Sequence, residues 1–395
     1  MAAIVPHLEQ EGETTELQER YWACKNRGLA GVDDDLLCPT PQAVVNQSHA
    51  GLLDMARMRQ ILADQMQGRT LSLGYRKDGE VVLTMDKAIR GPAWNPAPHP
   101  LQTIRVLGWT SKMHAPSFSL PAGCKQMGGS CPGAQAGQSV VPDKERNIAA
   151  KPLLSILKAD RVDLAQAICE FCYAEGGQYG TSLVSWGQMM RYIWAQKALS
   201  TDLEGRDCSS IEDCAFVKVL IEAINRTDFD LKRQPAHLGK RRFFRIHDSG
   251  DFFNVAYLKA WKAIANHFAP KNHDDPIFFW APTRIWALGQ AMVDKVNEIN
   301  TGPKNLIIRP SAYHINQHGP DELEDHNGWA APSVVYDHDN QKDADGVDYD
   351  WNCKAYETES EKVTCVDSKN AKGKTGCRDC WLRPKSRINY TLHGV

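Results

Sequence analysis

The stretch Arg245-Ile246-His247-Asp248-Ser249-Gly250-Asp251-Phe252-Phe253 ends an apolar run and opens a helical pattern. Two carboxylates and a histidine fall within five residues, at what should be the carboxyl end of a strand. Parallel α/β folds keep their catalytic groups at that edge, where the loops leaving the strands converge. If the strand persists into the motif, alternation sends His247 to the face opposite Asp248. Downstream, Val255, Leu258, Trp261, Ile264 and Phe268 recur at spacings near three and four, which marks one face of a helix. Ile277-Phe278-Phe279-Trp280 then reads as a strand ending in Pro282-Thr283-Arg284, followed by a helix through Val296. Leu306-Ile307-Ile308 leads to Arg309-Pro310-Ser311, and Val334-Val335-Tyr336 leads to Asp337-His338. Upstream, Ser117 to Leu120 reads as a short strand and Leu183 to Leu199 as a helix.

Each of these strands is continuously apolar and then releases polar residues, the pattern of a parallel sheet buried on both faces. The expected fold is α/β, a parallel β/α barrel that is complete or partial, with a doubly wound open sheet as the alternative. Residues 1–105 read as an N-terminal extension, 106–340 as the catalytic barrel and 341–395 as a cysteine-rich metal-binding module. The extension holds a helix near Leu52 to Met66 and a hairpin, Thr70 to Tyr75 and Glu80 to Thr84, turned at Lys77-Asp78-Gly79. A proline-rich linker runs from Gly91 to Pro100.

The chain has 395 residues, 42% hydrophobic and 24% charged, ordinary values for a water-soluble globular protein with a sizeable core. No apolar run approaches the roughly 18 residues of a transmembrane helix, so no membrane partner is expected. Glu9, Glu11, Glu13 and Glu16 fit neither a secretory signal nor a transit peptide, and the expected location is the cytoplasm. A net charge of -2 argues against a protein that coats nucleic acid, but the average conceals local bias. Lys232 to Arg245 carries six Lys/Arg and no acid, interleaved with Phe243 and Phe244. Lys369 to Arg387 carries seven Lys/Arg against Asp379 alone, while Asp321 to Asp350 holds ten acids and one lysine. Basic stretches beside aromatics suit phosphate contact and base stacking; the plainer reading is a pair of solvated faces.

Twelve cysteines fall largely into two clusters. In a reducing compartment, closely spaced cysteines read as metal ligands before disulfides. The first cluster is Cys124, Cys131, Cys169 and Cys172, whose C-x2-C pair at 169 and 172 lets two thiolates grip one ion from a tight turn. Four ligands would close a zinc site, and three with an open iron position would suit a [4Fe–4S] cluster. The second cluster is Cys353, Cys365, Cys377 and Cys380, again with a C-x2-C pair, in a tail too polar to fold on apolar burial alone. A structural zinc would supply the missing stability. Cys24, Cys38, Cys208 and Cys214 read as structural. The acidic segment 337–348 fails the calcium-loop register, since counting back from Gly346 puts Gln341 at the first ligand position.

Phe118-Ser119-Leu120-Pro121-Ala122-Gly123, Cys131-Pro132-Gly133-Ala134, Cys172-Tyr173-Ala174, Asp248-Ser249-Gly250-Asp251-Phe252 and Cys377-x2-Cys380-Trp381 together resemble a phage family known as gene product 88, over roughly residues 106 to 390. The chain departs from it by a long insertion between Cys131 and Cys169. Asp248 to Phe252 is also similar to the Asp-Ser-Gly-Gly-Phe signature of guanine transglycosylases, including phage relatives that place 7-deazaguanines in DNA. That second resemblance implies a barrel with a C-terminal zinc site and base exchange at guanine. Asp248 would be the base-binding general acid/base, Asp251 stands where the signature has glycine, and Asp337 is the candidate nucleophile. Ser249, Gly250, Arg284 and Ser311 would line the substrate, with Arg241 and Arg242 on the backbone while the base is extruded. Its partners would be nucleic acid, DNA ahead of RNA, and a free deazaguanine base. A radical S-adenosylmethionine-like iron–sulfur enzyme is the rival reading, because a strand, a cysteine loop, a helix and a strand ending Gly250-Asp251 follow that superfamily's order. The third is a non-catalytic nucleic-acid-binding protein with structural zinc, which leaves Asp248 and Asp251 without a task.

Overall fold

A computed structural model describes residues 64–89, 101–110, 113–123, 129–132, 182–229, 231–234, 236–288, 290–300, 304–312, 329–336, 351–353, 364–367 and 372–391, with a few single positions besides. The chain first forms a three-stranded antiparallel sheet, β1 (Leu71–Tyr75), β2 (Val81–Ile89) and β3 (Leu101–Arg105). The hairpin turns where the sequence places it, with Gly79 at φ +84 and Tyr75 opposite Val81. Leu83, Met85 and Ile104 of this sheet pack into the main core. The Tyr75 hydroxyl donates to Glu222 at 3.0 Å, and the Arg226 guanidinium lies 4.8 Å over its ring.

A second sheet follows in the order β4 (Gly108–Thr110), β5 (Ala115–Ser117), β6 (Arg242–Arg245), β7 (Ile277–Thr283) and β8 (Leu306–Pro310). Only β4 is antiparallel to its neighbour; β5 through β8 run parallel. The helices between them are α1 (Ser182–Ala198), α2 (Ala215–Asn225), α3 (Val255–His267) and α4 (Gln290–Asn300). Asn254 caps α3 by accepting from the Tyr257 N–H at 2.7 Å. A parallel bridge from Ser311 to Ser333 carries the sheet on to β9 (Ser333–Tyr336). Beyond β9 lie β11 (Ile388–Thr391) and then β10 (Trp351–Asn352), again parallel. Sheet pairing joins β9, before residue 340, to β11, after it.

The expected barrel does not close: among the described residues no strand pairing joins β10 to β4. The strand expected at Ser117 to Leu120 is paired only through Ser117; beyond it, Leu120 N–H donates to the Ser249 carbonyl rather than to β6 proper.

The two faces of the parallel sheet carry different chemistry. On one, Phe244, Ile246, Phe279 and Ile308 pack under the helices with Phe216, Trp261 and Ile264, all fully buried. On the other, Phe243, Trp280 and Ile307 meet Cys365, Cys380, Trp381 and Ile388 of the C-terminal module. Trp381, in the one-turn helix α5 (Asp379–Leu382), donates its indole N–H to the Phe244 carbonyl at 2.8 Å. Arg309, with no exposed surface, donates to the carbonyls of Ala331 at 2.5 Å, Ser386 at 2.6 Å and Arg383 at 2.8 Å.

Candidate active site at the carboxyl edge of the sheet

Where β6 ends, the chain must turn sharply across the exit of β5, and hydrogen bonds hold that turn. The buried Ser249 hydroxyl donates to the Leu120 carbonyl at 2.6 Å and accepts from Gln188 of α1 at 2.6 Å. Gly250 has φ +85, and a Cβ there would lie 2.5 Å from the Ser130 hydroxyl and 2.6 Å from the Leu120 Cβ. Glycine is required on both counts. The segment pressed against it is the start of the first cysteine loop: Ser130 donates to the Pro121 carbonyl from its hydroxyl at 2.8 Å, and Cys131 N–H donates to the Gly123 carbonyl at 2.9 Å. Cys131 therefore lies beside the Asp248–Asp251 turn. The Tyr192 hydroxyl on α1 is pushed up to about 12, by burial first and by the Cys131 thiol second.

The two carboxylates of the turn differ. Asp251 is buried, and its oxygens accept from the Thr283 hydroxyl at 2.6 Å, the Phe252 N–H at 2.7 Å and the Arg284 N–H at 2.9 Å. Burial raises its pKa, and these hydrogen bonds oppose the rise. Its geometry is that of a brace between the exits of β6 and β7. Asp248 is more open, with its side chain 22% exposed, and accepts from Arg245 Nη1 at 2.6 Å. The Arg245 guanidinium in turn lies 5.1 Å over the Trp280 ring. His247 points away from Asp248, but β6 has ended at Arg245 and strand alternation does not decide the side: His247 packs on Phe252 with its Nε2 3.2 Å from the Tyr257 hydroxyl. Burial, followed by the Arg245 charge, lowers its pKa to about 3, so it is neutral at ordinary pH.

The structure gathers Asp248, Ser249, Gly250, Asp251, Arg284 and Ser311 along one edge. Arg284 donates through Nε to the Ala312 carbonyl at 3.0 Å, while Ser311 accepts from Trp286 through its carbonyl at 2.9 Å and shares a 3.0 Å hydroxyl contact with Ser333. Arg241 and Arg242 are not gathered there. They lie at the amino end of β6, where Arg242 donates to Asp275 at 2.8 Å and sits 5.5 Å over the Phe229 ring. Asp337, Cys124, Cys169 and Cys172 lie outside the described residues, as do Cys24 and Cys38.

In the second cysteine cluster Cys365, Cys377 and Cys380 are buried, and the half-buried Cys353 packs against the apolar cluster that holds Cys365 and Cys380. Burial pushes the Cys365 thiol well up, with Cys353 and Cys380 adding to the effect. Burial likewise raises Cys377 and Cys380, the latter 3.1 Å from the Tyr390 hydroxyl. Among the described residues no three His, Cys, Asp or Glu side chains are already drawn to a common point that could hold a metal ion. Cys208 and Cys214, expected to be structural, form a disulfide with Cα atoms 5.3 Å apart.

Sequence reasoning does not single out two residues. Arg245 falls inside a run that reads as a solvated basic face, although period-two alternation already puts it on the same side as Phe243. Arg378 sits within the C-x2-C pair but is 5% exposed.

Comparison with known proteins bears on this edge directly. Residues 87–383 match the family described as Gene product 88, a span that includes the turn, the Cys131 segment and the second cysteine cluster. The chain belongs to the gene product 88 family. No curated protein and no solved structure matches it. The family match covers β4 to β8, α5 and all four module cysteines. Among the described residues no helix is long and apolar enough to cross a membrane.

Proposed function

We propose that this gene product 88 protein is a metal-containing phage enzyme that exchanges a guanine base in nucleic acid, DNA in the first instance, for a 7-deazaguanine. The observation that carries the reading is Asp248: a part-exposed carboxylate at the carboxyl edge of a parallel sheet, fixed at 2.6 Å by Arg245. A carboxylate so placed can accept from the N1–H and 2-amino group of an extruded guanine, the donors on its pairing edge. The exchange needs a second carboxylate to attack the sugar C1′, and the sequence offers Asp337 after β9. Attack forms a C1′–O bond and breaks the C1′–N bond; guanine leaves with the electron pair and takes a proton managed by Asp248. The incoming base then attacks C1′, gives up its proton and releases the carboxylate. Asp251 acts through Thr283 and Arg284 in this scheme, holding the edge in shape. Cys353, Cys365, Cys377 and Cys380 would hold zinc, which closes the module against the sheet.

The test is uptake of labelled guanine into duplex DNA by wild type and Asp248→Asn. Incorporation by wild type, reduced at least a hundredfold in a folded variant, supports the reading. Equal activity in both, or none in metal-loaded wild type, removes it.

One observation favours a second reading, an iron–sulfur enzyme of the radical S-adenosylmethionine type. Ser130, next to Cys131 in the first cysteine loop, lies against Gly250 beside the site. Base exchange gives that thiol no work. Iron with acid-labile sulfide in anaerobically purified protein, and absorbance near 400 nm, would install this reading in place of the first; zinc alone would dismiss it.

A further inference from the structure

Two basic runs, 232–245 and 369–387, stand more than a hundred positions apart in the sequence. The structure brings them together. Leu238 of the first lies in one apolar cluster with Cys380 and Trp381 of the second. The Phe243 ring is 5.6 Å from the Trp381 ring and 5.1 Å from the Arg378 guanidinium. Each run approaches this contact through a segment held by local hydrogen bonds. Before β6, the Gln234 amide donates to the Gly239 and Arg241 carbonyls at 2.8 and 2.7 Å. In the module, Lys369 bridges to Thr375 across a turn in which Gly373 has φ +73 and open space around it. Lys232, Lys240, Arg241 and Lys369 are exposed on these two segments, and neither 232–241 nor 369–376 contains an acid. Within β6, by contrast, Arg242 is met by Asp275 and Arg245 by Asp248.

We propose that the two segments form one surface for the phosphate backbone of a nucleic acid, centred on the amino end of β6 and so opposite the Asp248 edge. The inference takes its partner from the nucleic-acid reading given above and rests on it. Phe243 and Phe244, whose interleaving with basic residues suggests base stacking, are buried and take no part. Among the described residues the exposed large apolar side chains are Leu73, Tyr75, Trp109, Val184 and Leu203, all outside both runs. Without aromatic platforms the surface holds phosphates and does not read bases. Without apolar side chains to insert, it fits a nucleic-acid backbone better than a lipid interface. Binding should therefore be independent of sequence and steep in salt, because each neutralised phosphate releases a counterion. The four residues of β6 span about 13 Å, roughly four nucleotides of one strand. A backbone held at the amino end thus leaves an extruded base within reach of Asp248 at the other.

The experiment is fluorescence anisotropy of a labelled random-sequence DNA duplex with full-length protein across a series of salt concentrations. Wild type should bind with an affinity that falls steeply as salt rises. Lys240→Gln/Arg241→Gln should weaken binding and flatten the log–log salt slope by about two, and Lys369→Gln by about one. Lys259→Gln/Lys262→Gln, on α3 at the helical face, removes the same charge as the first pair and should leave the slope unchanged. No binding by wild type at low salt, or unchanged slopes in the segment variants, overturns the surface. An equal loss in the α3 pair overturns it too, since net charge alone would then be at work. A slope moved by one segment and not the other overturns their joining into one surface. Equal or tighter binding of vesicles rich in anionic lipid assigns the surface to a membrane instead. The base-exchange reading fails separately: duplex binding as expected, without uptake of labelled guanine, removes the reaction and leaves this surface standing.

Discussion

The helical face and the module face of the parallel sheet are built from alternate residues of the same strands, yet different forces hold them. Phe244 and Phe279 point to the helices and meet Trp261, Phe216 and Ile264 in a continuous apolar layer. Phe243, Arg245, Trp280 and Arg309 point to the module, where the attachments are directional. Trp381 captures the Phe244 carbonyl, Arg309 captures three carbonyls, and Arg378 captures that of Met113. Apolar packing is non-directional and roughly proportional to area, so damage on the helical face should be graded. A buried hydrogen bond requires its partner in place, so damage on the module face should release a whole segment. Stability resides on one face and specificity of docking on the other.

That contrast can be broken by experiment. The largest effect is expected from Trp261→Ala on the helical face. The ring is fully buried, and its loss should cost about 3–5 kcal/mol in urea unfolding with metal content unchanged. A loss under 1 kcal/mol would mean the helical layer is not the main source of stability. Cys377→Ser on the module face should cost at least the roughly 1–3 kcal/mol of burying an unpaired hydroxyl. Its signature is local: amides of β11 should lose protection from hydrogen exchange while those of α3 keep theirs. Uniform loss across both would erase the distinction between the faces. At the edge between them, Asp251→Asn would set an amide N–H2 against a backbone or hydroxyl donor, costing about 1–3 kcal/mol. Unchanged stability would show that Asp251 is not the brace between β6 and β7.

The last effect is a slope. His247 has a pKa lowered to about 3 from the ordinary 6.5, so the unfolded chain binds the extra proton first. Its contribution is fully present above about pH 6.5 and is lost as pH falls from there toward 3, at up to about 1.4 kcal/mol per pH unit. Subtracting the pH profile of His247→Phe from that of wild type isolates this term. Parallel profiles would place the imidazole in contact with water.

Much of this was legible from residue order. Continuous apolar runs that end in polar residues announced parallel strands. Gly79 is a local device, readable because a turn depends on neighbours only. The rest depends on partners far away in sequence. Gly250 reads as a turn residue, but the reason nothing larger fits is Ser130, some 120 positions earlier. Closure of a barrel depends on how the last strand meets the first, which no single run encodes, and here the sheet stays open. Charge runs mislead most. Arg242, Arg245 and Arg378 belong to basic stretches, yet each is tied down inside the protein, by Asp275, by Asp248 and Trp280, and by Met113 with two rings. A run shows sign but not side.

The strand order β10-β11-β9 carries a further consequence, one of timing. In sequence, β9 and β10 come first and β11 last, yet β11 lies between them and supplies every parallel bond each makes within that sheet. During synthesis the two earlier strands emerge with their edges waiting and cannot satisfy one another. This sheet is therefore assembled in a single late event, with contacts spanning more than fifty positions between Ser333 and Ile388. Long-range pairing of this kind is slow, and until it happens the exposed strand edges are the place where a nascent chain is most open to mispairing.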